Sequence, residues 1–103
     1  MIYSITYSNL AKNDLVGIKK YIKYVLLNEY SANRIIKDIQ NHINDLRLFP
    51  KKYVICMQLE DKEIRRITIG KYNVYYFIDD NELIINILRI VYGGVDISQV
   101  ALD

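Results

Sequence analysis

Between Ala11 and Leu46 apolar residues return every three or four positions, whereas from Tyr53 onward they alternate or cluster in short runs. The first rhythm is helical and the second extended. Ala11, Leu15, Ile18, Ile22 and Val25 make one stripe and leave Lys12, Lys19, Lys20 and Lys23 largely outside it, as in an amphipathic helix with a basic outer side. Ser8 precedes it as N-cap, since its hydroxyl can accept from the free backbone N–H groups of a first turn. Residues 28–31 break the stripe. A second one follows at Ala32, Ile35, Ile36, Ile39, Ile43 and Leu46, with Ser31 as the expected cap and Pro50 as the end. Two such helices on a short link pack antiparallel, as a hairpin.

Residues 2–7 read as a strand ahead of the helices, and residues 54–59, 64–69, 72–79 and 83–91 as strands after them. Turns at Glu60-Asp61-Lys62, Gly70-Lys71 and Asp80-Asn81 are spaced for successive hairpins. The expected fold class is α+β: an N-terminal strand and a two-helix antiparallel hairpin packed on one face of an antiparallel β-sheet. Beyond Tyr92-Gly93-Gly94 a short tail, residues 95–103, forms one or two helical turns or stays mobile.

A chain of 103 residues fits one domain, spanning 1–103, and its 51% hydrophobic against 25% charged composition is that of a folded core. The net charge of +2 admits a nucleic-acid or acidic-protein partner without requiring one. Cations gather at residues 12–23, 47–52 and 62–71, while beyond Ile78 the acids Asp79, Asp80, Glu82, Asp96 and Asp103 face only Arg89. The single cysteine, Cys56, excludes an intramolecular disulfide and a Cys-rich zinc site, which fits a reducing cytoplasm. The start of the chain has neither a basic leader nor a signal-type apolar run, and no stretch approaches the roughly 20 apolar residues that span a bilayer. Neither a metal site nor a cofactor-binding motif is expected.

Among ten tyrosines, most sheet positions suit a ring that buries its body and leaves its hydroxyl at an edge; Tyr92, ending a strand beside two glycines, is the one best placed to meet a ligand. Arg65 and Arg66 are adjacent in an extended segment, so the pleat sends them to opposite faces. The outward one, with Lys62, Lys71 and Arg89, makes either a phosphate-binding patch or a charged edge that discourages aggregation. Arg89 lies among Ile87, Leu88, Ile90 and Val91, where a charge needs a partner or a functional reason. His42 is the only histidine, which rules out a paired-histidine ribonuclease site, and Cys56 has no triad partners nearby in sequence.

In this order the residues resemble the RelE/ParE superfamily of toxins. Ser8-Asn9-Leu10-Ala11 with Asp14-Leu15, Ile18 and Tyr21-Ile22 is similar to its opening helix, and Leu46 with Phe49-Pro50 to the end of its second. Ile64-Arg65-Arg66-Ile67 with Gly70-Lys71-Tyr72, then Val74-Tyr75-Tyr76 with Ile87-Leu88-Arg89-Ile90, resemble its central strand and final hairpin. The long hairpin resembles the ParE side.

The resemblance implies the toxin of a type II toxin-antitoxin, plasmid-stabilisation module, held inactive by a cognate antitoxin and using no cofactor. It is expected to act as a ribosome-dependent mRNA endonuclease, with ribosome and mRNA as partners; the alternatives are a ParE-like inhibitor that binds DNA gyrase and a catalytically degenerate family member. For RNA cleavage the resemblance assigns Arg65 or Arg66 to phosphate binding, Arg89 to charge stabilisation and Tyr92 to proton transfer or stacking, with Lys62, Lys71, Tyr72 and Asn73 contacting RNA or antitoxin. The chain departs from the pattern at Asn73 and at Val95, where relatives commonly carry arginines.

Overall fold

The computed structural model describes residues 2–102; Met1 and Asp103, the latter counted above in the acidic tail, lie outside the described residues. Strand β1 (Ser4–Tyr7) leads into helix α1 (Asn9–Lys20), a π-helical turn (Tyr21–Val25) and helix α2 (Glu29–Asp45). Strands β2 (Ile55–Leu59), β3 (Lys62–Ile69), β4 (Tyr72–Asp79) and β5 (Ile84–Tyr92) follow, then a short 3-10 turn (Ile97–Gln99).

Ser8 caps α1 as expected: its Oγ accepts from the Ala11 N–H at 3.0 Å and its hydroxyl donates to the Leu88 carbonyl at 2.8 Å, tying the helix start to β5. The second cap is Asn28 and not Ser31, because the Asn28 side-chain oxygen accepts from the Ser31 N–H at 3.0 Å. Between the helices the bond from Leu26 N–H to the Tyr21 carbonyl spans five residues. This wider turn shifts the phase of the helical stripe. Ile22 therefore stays in the core, while Val25, expected on the same stripe, is exposed. Helix α2 ends at Asp45 in a tightened turn, ahead of Pro50, which is buried and whose carbonyl accepts the Tyr76 hydroxyl at 2.7 Å.

The sheet order is β1-β5-β4-β3-β2. Strands β2 to β5 form the expected antiparallel meander, but β1 pairs parallel with β5, Ser4 opposite Ile84 through Tyr7 opposite Ile87, so the sheet is mixed. No local turn links these two strands, and nothing in the alternation of residues 2–7 encodes a direction of pairing. The last hairpin turn is longer than Asp80-Asn81: Asp79 Oδ1 accepts from the N–H groups of Asn81 and Glu82, both at 3.0 Å, and Leu83 belongs to the turn with φ 56°.

Helices α1 and α2 cover one sheet face, where Ala11, Ile39, Ile43 and Leu46 pack on Ile67, Val74, Tyr76, Ile87 and their neighbours. A smaller cluster on the other face joins Ile64, Tyr75 and Leu88 to Leu102. The tail is thus docked, with one 3-10 turn and Leu102 buried against the sheet.

Candidate functional site

The sequence-derived site residues divide between the two ends of the sheet. Lys62 opens β3 and Tyr92 closes β5 at the opposite end, since β3 and β5 run alike on either side of β4. The eight residues of β3 extend over roughly 23 Å at about 3.3 Å each. No single patch unites Lys62 with Tyr92. At its own end Lys62 lies 5.4 Å from the centre of the Phe77 ring and 3.7 Å from Asp61.

Each arginine has a different position. Arg65 Nη1 donates to the carbonyls of Tyr53 at 2.6 Å and Lys51 at 3.2 Å, pinning the loop that enters β2. Arg66, opposite Tyr75 in register, is exposed on the tail-bearing side. It pulls the Cys56 thiol pKa down, but burial outweighs it and the thiol titrates above its ordinary value, against a nucleophilic role.

Arg89 is committed to Asp14. Its Nε and Nη2 donate to the two carboxylate oxygens at 2.8 and 2.9 Å, and the Ile90 N–H adds a third bond to Oδ2 at 2.9 Å. A register shift at Tyr75/Tyr76 places Arg89 opposite Tyr75 and Ile87 opposite Tyr76, leaving Leu88 as the extra residue of β5. The remaining guanidinium nitrogen, Nη1, donates to the Ala101 carbonyl at 2.7 Å. Only 16% of the Arg89 side chain and 14% of that of Asp14 are exposed. The Asp14 hydrogen bonds raise the guanidinium pKa further, so Arg89 keeps its charge.

Lys71, Tyr72, Asn73 and Tyr92 do converge. The Tyr72 and Tyr92 rings meet edge to face, centroids 6.3 Å apart at 78°. Gly93 N–H donates to the Lys71 carbonyl at 2.8 Å, and a Cβ on Gly93 would stand 3.2 Å from that oxygen, so a glycine lets the end of β5 reach the β3–β4 turn. Asn73, where an arginine is usual in the resembled pattern, is buried and accepts the Thr68 hydroxyl at 2.7 Å. Burial, then the nearby phenols of Tyr21 and Tyr92, raise the Tyr72 pKa, so its hydroxyl is a proton-bearing group at neutral pH and no base.

Lys71, Tyr72 and Tyr92, but not Asn73, line a cleft of about 670 Å³ together with Asp14, Gly17 and Ile18 of α1 and Tyr21 of the π-turn. A second cleft of about 670 Å³, between α2 and the β3–β4 turn, shares Leu26, Lys71 and Tyr72 with the first. Sequence reasoning missed Gly17, Tyr21 and Leu26. The available signal was a glycine inside a helical stripe and an unbroken apolar pair, Leu26-Leu27, at the hairpin link. His42, on the exposed side of α2, donates Nδ1–H to the Asp38 carbonyl at 2.9 Å and lines neither cleft. Among the described residues no group of three His, Cys, Asp or Glu side chains could hold a metal, and no helix is long and apolar enough to cross a membrane.

A family model described as the ParE toxin of the type II toxin-antitoxin system, parDE, matches residues 5–96. The chain belongs to that toxin family. Its fold is similar to that of the chromosomal ParDE toxin-antitoxin system of Pseudomonas aeruginosa, with TM-score 0.74 and 19% identity over 88% of this chain and 96% of that one. It is similar also to the toxin-antitoxin complex RelBE2 of Mycobacterium tuberculosis, with TM-score 0.67 and 20% identity over 89% and 99% of the two chains. The archaeal RelE-RelB complex of Pyrococcus horikoshii gives TM-score 0.66 and 17% identity over 93% and 100%. At these identities the likeness is one of fold. No curated protein sequence matches the chain.

Proposed function

We propose that this ParE-family toxin acts by binding and not by cutting RNA, that its target is DNA gyrase, and that a cognate antitoxin restrains it. The observation that carries this reading is the engagement of Arg89 by both carboxylate oxygens of Asp14. A group that stabilises charge developing on a phosphate must be aimed at that charge and free of a better partner. Arg65 is likewise turned to backbone carbonyls, and Asn73 and Val95 supply no guanidinium. Tyr92, 57% exposed, is left beside Lys71 without a cation array around it.

Ribosome-dependent mRNA cleavage is the second reading, favoured by that exposed Tyr92 and by the free side of Arg66. Purified, antitoxin-free protein is to be assayed in parallel on gyrase supercoiling and on ribosome-programmed mRNA. The expected result is inhibited supercoiling with intact mRNA. Cleavage of the mRNA at defined positions, lost in Tyr92→Phe, overturns the binding reading.

A further inference from the structure

The cleft between α2 and the β3–β4 turn gathers cations that the fold leaves unused. Arg34, Lys37 and Asn41 stand three and four residues apart on α2 and line it from one side, while Lys71 lines it from the turn. Among the described residues Arg34, Lys37 and Lys71 pair with no carboxylate. The one acid lining the cleft, Asp38, lies 3.4 Å from His42. The concave surface at the far end of the sheet differs. There Lys51 and Lys62 sit with Asp80 and Asp61, and Arg65 with backbone carbonyls, so its positive charge is already compensated. Beneath the cations of the α2 cleft the surface is apolar: Ile39 and Ile69 are buried and Ile35 half-buried, and Tyr72 adds a ring. At about 670 Å³ the space is in the range of small-molecule sites and larger than a lone phosphate needs.

We infer that this cleft binds a nucleoside di- or triphosphate, with Arg34 and Lys37 on one side of the phosphate chain, Lys71 on the other, and the base against Ile35, Ile69 and Tyr72. A guanidinium fork can hold two phosphate oxygens at once, and the two ammonium groups add charge without demanding one geometry. Cations on both walls suit a charge spread over successive phosphates. A flat, weakly polar base suits the apolar floor, where an inorganic anion would gain nothing. A nucleic-acid strand fits less well. Along α2, Glu29 precedes the two cations and Asp38 and Asp45 follow them, so the positive surface is too short to track a backbone. Leu26, Lys71 and Tyr72 also line the cleft of Tyr92, so a bound nucleotide reaches the neighbouring surface through side chains common to both. Such a site serves a gyrase inhibitor and a nuclease alike.

The probes are fluorescently labelled ATP and GTP, titrated against the full chain and followed by anisotropy. At least one should bind with a Kd on the order of 10 μM, and about 1 mM of the unlabelled nucleotide should raise the Tm by about 5 °C. Arg34→Ala with Lys37→Ala, both at exposed positions, should weaken binding about a hundredfold. Asn41→Trp, which fills the cleft without changing its charge, should weaken it about tenfold. Lys12→Ala with Lys19→Ala removes the same charge from α1, outside the cleft, and should change it less than about threefold. No binding of either nucleotide at about 1 mM, or wild-type affinity in both the Arg34/Lys37 and the Asn41 variants, overturns the site. Inorganic tripolyphosphate binding as tightly as ATP overturns it too, since the apolar floor would then be unused. If neither nucleotide binds but a labelled single-stranded RNA does, and loses affinity in the Arg34/Lys37 variant, the cleft is a nucleic-acid site instead.

Discussion

In the sheet, polar groups that chemistry would want are consumed by the fold; at the hairpin tip, apolar groups that a core would want are left in water. Arg89 and Arg65 give their donors to Asp14 and to backbone carbonyls, whereas Leu27, Tyr24 and Tyr30 are each more than half exposed. The contrast separates two ways of being a toxin. A hydrolytic site needs unpaired charge held at a fixed point, and an inhibitor needs adhesive surface. This chain has more of the second.

The largest effect expected on the sheet side comes from Asp14→Ala. It strands the Arg89 guanidinium and the Ile90 N–H in a site that is mostly buried, and urea unfolding should show a loss of about 3 kcal/mol. Replacing Arg89 as well, by Leu, should return most of it. A loss near zero for the single change would mean that Arg89 is available for chemistry, and would dissolve the contrast.

Tyr76 tests the same interior by pH. Its hydroxyl is buried beneath the helices and its pKa is pushed up from 10.0 to about 12, chiefly by burial. The folded state therefore favours the neutral phenol more than the unfolded state does. That contribution is complete below pH 10 and is lost as pH rises toward 12, to a limit of about 2.7 kcal/mol for two pKa steps. Stability followed against pH should fall across that window, and the Tyr76→Phe protein should fall less steeply.

At the tip the sign reverses. Leu27→Asn should stabilise the chain by about 1 kcal/mol by relieving a left-handed leucine at φ 53°, while lowering toxicity. A stabilised variant that stayed fully toxic would show the tip to be idle. The smallest effect belongs to Arg66→Ala, within about 0.5 kcal/mol by chemical unfolding. Gyrase inhibition by Arg66→Ala should equal that of wild type; a loss would bring the sheet face back into the function.

Both helices, the meander and the Ser8 cap were legible because each is written locally, in a stripe, a turn or a hydroxyl. What escaped was written across distance or against the standard period. Val25 was placed in the core because a 3.6-residue rhythm was carried through a turn that is wider. The partner of Arg89 was foreseen as a need, yet Asp14 lies 75 residues away and could not be named from spacing. Lys62 and Tyr92 looked like one patch because both belong to basic or aromatic strand segments, and only the register puts them at opposite ends.

The parallel seat of β1 beside β5 also sets an order in time. Ser8 and the Leu88 carbonyl that it binds are 80 residues apart, so at roughly 5–20 residues per second β1 waits about 4–16 s for its partner to be synthesised. Through that interval α1 lacks the strand against which Asp14 and Ser8 anchor it. The cleft beside α1 is completed by Tyr92, at the end of the same strand. The cleft that Tyr92 lines is therefore incomplete until nearly all of the chain has left the ribosome.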